Sequence, residues 1–196
     1  VMWDERYDTA EYLYGTAAND FLAAMIDRIP AGRVLCLAEG EGRNAVWLAE
    51  QGRSVTAVDG SPVGLAKARR LAAERGVHID TVVADLADFP IPAGHWDGIV
   101  SIFCHIRPDI RADLHRRAVQ GLRPGGVFVL EAYTPAQLRH RTGGPPDEDK
   151  LMTLADLRRE LAGLDFVHAV ELEREVVEGR LHHGLGAVVQ VVAVRP

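Results

Sequence analysis

The sequence predicts an α/β domain in which the first five strands run parallel and the last two form an antiparallel hairpin. Three observations carry this. Short β-branched runs alternate with helically spaced apolar sets from Val34 to Leu130, so a crossover separates each strand from the next. From Phe166 onward the pattern changes to two runs joined by Glu178-Gly179, too close together for a crossover. The length of 196 residues, with 47% apolar and 26% charged residues, fits one domain spanning 1–196 with one sizeable core and excludes wholesale disorder.

In chain order, Phe21, Leu22, Met25, Ile26 and Ile29 recur at helical spacing and predict an amphipathic helix ended by Pro30-Ala31-Gly32. Val34 to Ala38 reads as the first strand. A glycine turn and the set Ala45, Leu48, Ala49 follow, stopped by Gly52. Ser54 to Val58 is the second strand. Ser61-Pro62 opens the next helix with a hydroxyl N-cap and a proline at the first helical position, Leu65, Ala68 and Ala72 face the core, and Gly76 closes it. Ile79 to Ala84 and Trp96 to Phe103 are further strands. Ile110, Leu114, Ala118 and Leu122 mark the helix before the fifth strand, Val127 to Leu130. Residues 131–150 are loop-rich, and Leu154, Leu157 and Leu161 form a last helix capped by Thr153. Phe166 to Val177 alternates, with Glu171, Glu173 and Glu175 on one face as an edge strand would need, while Ala187 to Val194 is almost continuously apolar and predicts a buried central strand.

Acidic residues exceed basic ones, 28 against 22, a net charge of −6, and the basic clusters are short, which argues against a nucleic-acid partner. Cys36 and Cys104 stand alone without metal-ligand or disulfide spacing, so no metal site is expected and a reducing cytoplasm fits. No apolar run approaches the length of a membrane span, and the first nine residues carry Asp4, Glu5 and Asp8 rather than a basic-then-apolar leader. No membrane partner is expected.

The first strand runs into Glu39-Gly40-Glu41-Gly42-Arg43-Asn44-Ala45, a G-x-G-x-x-A between strand and helix, and Asp59 ends the next strand 19 residues after Gly40. A carboxylate there is placed for the two hydroxyls of a ribose. Glu39 and Glu41 flank Gly40 and would oppose a pyrophosphate: like charges 4 Å apart cost roughly 4 kcal/mol at an effective dielectric of about 20. A cofactor with an ammonium and a sulfonium, S-adenosyl-L-methionine, would be attracted instead. Asp85 and Leu86, after the third strand, supply an acceptor and a main-chain donor for adenine.

With Val34-Leu35-Cys36-Leu37-Ala38-Glu39-Gly40-Glu41-Gly42, Val58-Asp59-Gly60-Ser61, Ala84-Asp85-Leu86, Trp96-Asp97 and Leu122-Arg123-Pro124-Gly125-Gly126, the chain resembles class I S-adenosylmethionine-dependent methyltransferases, similar to the tellurite-resistance and thiopurine methyltransferase subgroup. The resemblance implies a Rossmann-like three-layer fold with a seven-stranded, mostly parallel sheet in the order 3-2-1-4-5-7-6. It also implies cofactor contacts from Glu39, Gly40, Gly42, Asn44, Asp59, Gly60, Ser61, Asp85, Leu86 and Phe103. Cys36 and Ala38 stand where the family usually has an acid and a glycine, so the ammonium contact is expected to move to Glu39.

Three segments can close an acceptor pocket: an N-terminal lid and helix over 1–30, the Phe103-Cys104-His105 strand end, and a substrate-side loop over 134–150. Arg6 and Tyr14, with Tyr7, lie in an aromatic-rich stretch able to fold over the cofactor, Arg6 being suited to its carboxylate. His105 sits where a switch-point ligand is expected, and His182 lies in Gly179-Arg180-Leu181-His182, a pattern similar to that of the tellurite-resistance proteins; these two are the catalytic candidates. The expected function is methyl transfer to a small acceptor, with a thiol or chalcogen oxyanion first, by a monomer or weak homodimer. An NAD(P)-binding oxidoreductase and a non-catalytic S-adenosylmethionine-binding module are the alternatives.

Overall fold

The computed structural model describes residues 2–196. Five strands, β1 (Arg33–Leu37), β2 (Ser54–Asp59), β3 (Asp80–Val83), β4 (Trp96–Ile102) and β5 (Leu122–Tyr133), pair in parallel. The last two, β6 (Asp165–Glu178) and β7 (His182–Val194), form an antiparallel hairpin, and β7 also pairs antiparallel with β5. The sheet order is β3-β2-β1-β4-β5-β7-β6. The fold class and strand order expected from the sequence are therefore present.

The central strands read as unbroken apolar runs because both faces of the sheet are covered. Side chains alternate, so Leu35, Leu37, Ile99, Phe128 and Leu130 enter one core while Val34, Cys36, Val100, Val127 and Val129 enter the other. The first core is closed by α5 (Pro108–Gly121) and α6 (Leu154–Glu160) through Leu114, Ala118, Leu157 and Leu161. The second is closed by α2 (Asp20–Ala24), α3 (Arg43–Glu50) and α4 (Pro62–Glu74) through Leu22, Val46, Leu48, Leu65 and Ala68. Ser61 caps α4 by accepting from the Gly64 N–H at 3.0 Å, and a reciprocal Thr153/Asp156 capping box starts α6.

The helix expected over Phe21–Ile29 is shorter. It is α2 followed by a 3-10 turn over Ile26–Arg28, because Pro30 forces Ile29 into extended backbone and Asn19 caps only the first turn. A further helix, α1 (Met2–Tyr7), precedes it without a sequence signal of its own. The sheet edge β6 keeps Glu171, Glu173 and Glu175 exposed, and β7 beside it is buried from Ala187 to Ala193. No helix among the described residues is long and apolar enough to cross a membrane.

Candidate active site

The carboxyl ends of β1 and β2 carry the first half of the site. Ala38 leaves β1 with φ +49°, an uncommon conformation for a side-chain-bearing residue, and turns the chain into the glycine loop. Asp59 ends β2 and pins that loop: one carboxylate oxygen accepts from the Gly40 N–H at 2.9 Å, the other from the Ser61 N–H at 2.8 Å. Each oxygen keeps a second lone-pair direction for a hydroxyl. Burial raises the Asp59 carboxyl above its ordinary range, partly countered by these two amides. Gly42 has φ +92° and sits where a Cβ would meet Ala68 of α4 at 2.5 Å, so the loop closes only with glycine there.

Glu39 and Glu41 diverge. Glu39 turns onto the start of α3, accepting from the Ala45 N–H at 2.7 Å; burial raises its pKa to about 7. Glu41 points the other way, ion-paired with Lys67 and accepting from the Leu13 N–H at 2.8 Å. The expectation that both acids face the cofactor is corrected: Glu41 is neutralised within the fold, and Glu39 alone can attract a cation.

The N-terminal segment lies over this loop. Asp4 accepts from the Ser61 hydroxyl at 2.5 Å, and the Tyr7 hydroxyl sits 2.5 Å from where a Gly40 Cβ would stand. Burial and the neighbouring Asp59 raise the Tyr7 pKa well above its usual value. Ser61 thus spends its hydroxyl on α1 and α4, and Asn44 spends its carbonyl on the Asn19 N–H at 2.9 Å. These contacts occupy the Ser61 hydroxyl and the Asn44 carbonyl and leave the Asn44 amide NH2 without a hydrogen bond among the described residues. Gly60 is exposed beside Ala84. Asp85 is exposed and accepts from the Ala87 N–H at 2.9 Å, and Leu86 is buried with its carbonyl held by Arg117 at 2.7 Å. Arg6 is exposed with its guanidinium 4.9 Å above the Trp3 ring, near enough to Tyr14 to oppose the rise in that residue's pKa.

The second half is an aromatic cage at the ends of β4, β5 and β7. Phe103, at φ +51°, stacks on Tyr133 at 4.7 Å, and His105 lies parallel to Tyr133 at 5.8 Å. His182 stands edge-on to Phe103 at 4.7 Å and to Tyr133 at 5.2 Å, with Tyr14 4.7 Å away. Two of its buried polar atoms, His182 Nδ1 and Tyr133 Oη, have no hydrogen-bond partner among the described residues. His105 is engaged at both ends: Nε2 accepts from the Tyr133 N–H at 3.0 Å, and its ring is hydrogen-bonded to the Phe103 main chain. Burial and Arg111 lower its pKa to about 3. The expectation of a base at His105 is therefore corrected, because its only lone pair holds a strand end. His182 is likewise lowered to about 3, by burial and then by Arg43 and His105.

Behind the cage, Asn19 joins both halves. Its Nδ2 donates to Glu131 at 2.8 Å and to Glu178 at 2.6 Å; Arg43 at the start of α3 pairs with Glu178 at 3.0 Å, and Arg174 pairs with Glu131 at 2.5 Å. Gln190 donates to Glu131 at 2.7 Å. All are buried or nearly so, and each charge has an opposite partner, as buried charges require.

Residues 34–126 match the family model described as a methyltransferase domain. That match covers just under half of the chain, which is similar in sequence to methyltransferases. It is 30% identical over 121 residues to the 2-heptyl-1-hydroxyquinolin-4(1H)-one methyltransferase of Mycobacteroides abscessus, covering 60% of this chain and 51% of that protein. It is 32% identical to glycine N-methyltransferase of Rattus norvegicus, over 65% of this chain and 47% of that one. The chain thus spans about half the length of the curated relatives it matches. A structure solved for the conversion of a disulfide bond into a thioacetal group during echinomycin biosynthesis superposes with a TM-score of 0.81, at 20% identity, over 99% of this chain and 90% of that one. TehB from Haemophilus influenzae superposes with a TM-score of 0.73, at 18% identity, over 99% of this chain and 66% of that one. At these identities the two structures speak for the fold alone.

The donor set of this half fits S-adenosylmethionine. Glu39 is a half-buried carboxylate with no ion pair among the described residues, and a neighbouring cation would restore its charge. The spacing of Gly40, Gly42 and Asp59 made this half visible in the sequence. Tyr133, Asn19, Glu131 and Glu178 were not singled out there, since no local motif links them, and Arg43 was read only as a variable position of the glycine motif.

Proposed function

We propose that the protein transfers the methyl group of S-adenosylmethionine to a small-molecule acceptor whose attacking atom is a thiolate or a chalcogen oxyanion. The observation that carries the acceptor class is that, among the described residues, no strong base faces the cage. His105 has no free lone pair, His182 is held neutral with a pKa of about 3, and Glu178 is shared between Arg43 and Asn19. A soft anionic nucleophile needs alignment and dryness rather than deprotonation. The bound cofactor supplies an electrophilic methyl.

In this reading Asp59 holds the ribose, Glu39 faces the cofactor's cationic end, Gly40 and Gly42 let the loop approach it, and Leu86 and Asp85 border the adenine. Phe103, Tyr133, His182 and Tyr14 orient the acceptor and exclude water. Residues 1–30 act as the lid and 134–150 as the acceptor-side loop. The quinolone methyltransferase among the relatives supports a small-molecule acceptor. An oxygen or nitrogen acceptor is the second reading, favoured by Glu178 Oε2, buried without a hydrogen-bond partner beside the cage.

A screen of thiols, selenite, tellurite, phenols and amines, read by S-adenosylhomocysteine release, tests both. Turnover with the first three classes is expected; turnover confined to phenols or amines moves the assignment to the second reading, and none with any class removes the enzymatic one. His182→Ala is expected to lower turnover with S-adenosylhomocysteine affinity intact, measured by calorimetry on the same preparation.

A further inference from the structure

The acceptor side has a second compartment. A groove of about 610 Å3 lies between the 137–146 loop and the start of β7. Arg141, Arg180 and His183 line it together with Leu138, Pro145 and Leu181, and no acidic residue does, although the chain as a whole carries −6. Among the described residues only Glu11 ion-pairs with this basic set, 3.7 Å from Arg180 in a pair whose two side chains are 69% and 74% exposed; solvent screens such a pair strongly. Arg141 stands at φ +57°, an uncommon backbone state that Thr142 helps hold. The Thr142 hydroxyl donates to the Leu185 carbonyl at 2.7 Å and its carbonyl accepts from the His183 N–H at 3.1 Å.

The groove and the cage share a wall one residue thick. A Cβ on Gly143 would lie 2.9 Å from the His182 ring and 3.1 Å from the Tyr133 hydroxyl, and one on Gly144 would lie 2.7 Å from the Tyr133 ring. The strap therefore seals the cage only because it lacks side chains. Its φ values of +147° and +84° also leave it free to shift in ways closed to other residues. On the cage side of that wall are the two unpartnered buried polar atoms, His182 Nδ1 and Tyr133 Oη.

Resting on the methyl-transfer reading above, we propose that the groove is a subsite for an anionic tail, so that the acceptor is an organic molecule with a carboxylate or similar oxyanion on an apolar stem. Volume and charge both point this way. The groove is of the size that holds drug-like ligands, typically about 300–1,000 Å3, far more than an inorganic oxyanion fills. Leu138, Leu181 and Pro145 offer the stem an apolar wall, and Arg141 and Arg180 offer the oxyanion charge-assisted donors.

The test uses two thiols of equal reach, 6-mercaptohexanoate and 6-mercaptohexanol, with the full chain and S-adenosylmethionine. The carboxylate is expected to show a KM at least tenfold lower. In Arg141→Gln/Arg180→Gln this preference should vanish while the KM of the alcohol stays unchanged. Equal KM values for the two thiols in the unsubstituted protein, or a preference that survives the double substitution, would overturn the subsite. Failure of the reaction itself is told apart by binding of 6-(methylthio)hexanoate to the S-adenosylhomocysteine complex, read by ligand-observed NMR. Binding that the double substitution abolishes supports the groove even without turnover, and no binding to the unsubstituted protein removes it.

Discussion

Asp59 is the residue on which the cofactor half turns, because one side chain sets the glycine loop through Gly40, sets the start of α4 through Ser61, and still has lone pairs to offer. Asp59→Ala is expected to weaken S-adenosylhomocysteine binding by roughly 1–3 kcal/mol, the usual effect of losing charge-assisted hydrogen bonds; unchanged affinity by titration calorimetry would take the ribose away from it. Glu39 has a different signature. With its carboxyl near pKa 7, it is mostly protonated at pH 6 and mostly charged at pH 8. The ammonium that Glu39 is expected to contact is common to S-adenosylmethionine and S-adenosylhomocysteine, so the affinity for both is expected to rise as pH rises from 6 to 7. Glu39→Gln should flatten that dependence, and an affinity that is unaltered between pH 6 and 7 in the unsubstituted protein would show that Glu39 does not face the ammonium. Gly40 and Asp59 were legible in the sequence because a single βαβ unit fixes their spacing. The contrast between Glu39 and Glu41 was not legible, since it depends on Lys67 one helix further on.

At the level of elements, α1 shows what tertiary contact does for a segment with no helical credentials. Six residues are too few for a stable isolated helix, and Met2 and Trp3 remain exposed. What holds it is Asp4 on Ser61 and Tyr7 wedged against Gly40 and Gly64. Tyr7→Ala is therefore expected to raise amide exchange over residues 2–12 at least tenfold, with α4 unaffected, by hydrogen-exchange mass spectrometry; equal protection would mean that Asp4 alone suffices. The strands and the main crossover helices were readable because each needs only its own period and caps. The cage was not. Phe103 and Tyr133 end different strands, and Asn19 meets Glu131 and Glu178 across 112 and 159 positions, separations at which no spacing rule operates.

For the whole molecule, the buried ionisable groups set how stability responds to acid. His105 and His182 have folded pKa values of about 3 against an ordinary 6.5, so below pH 6.5 the unfolded chain binds protons that the native chain refuses. Each such group removes about 1.4 kcal/mol of stability per pH unit between 6.5 and 3. Glu39 acts with the opposite sign between 4.5 and 7, where the native carboxyl holds a proton that the unfolded one has lost, so lowering the pH across that window favours the fold. Two histidines against Glu39, with the raised Asp59 carboxyl acting in the same sense as Glu39, leave a net loss down to pH 4.5. Below it Glu39 no longer compensates, and the carboxylates held low by partners, such as Glu160 beside His115 and Arg111, begin to lose those pairs. The urea midpoint is accordingly expected to fall gently from pH 6.5 to 4.5 and steeply beneath. His182→Phe should make both limbs shallower, because it replaces a buried imidazole by a ring that fits the same aromatic surroundings and takes up no proton in either state. A midpoint that is flat to pH 4, or a slope identical in the variant, would mean that His182 is hydrated and protonated in the native protein, and the neutral, base-free cage would then no longer argue for a soft nucleophile.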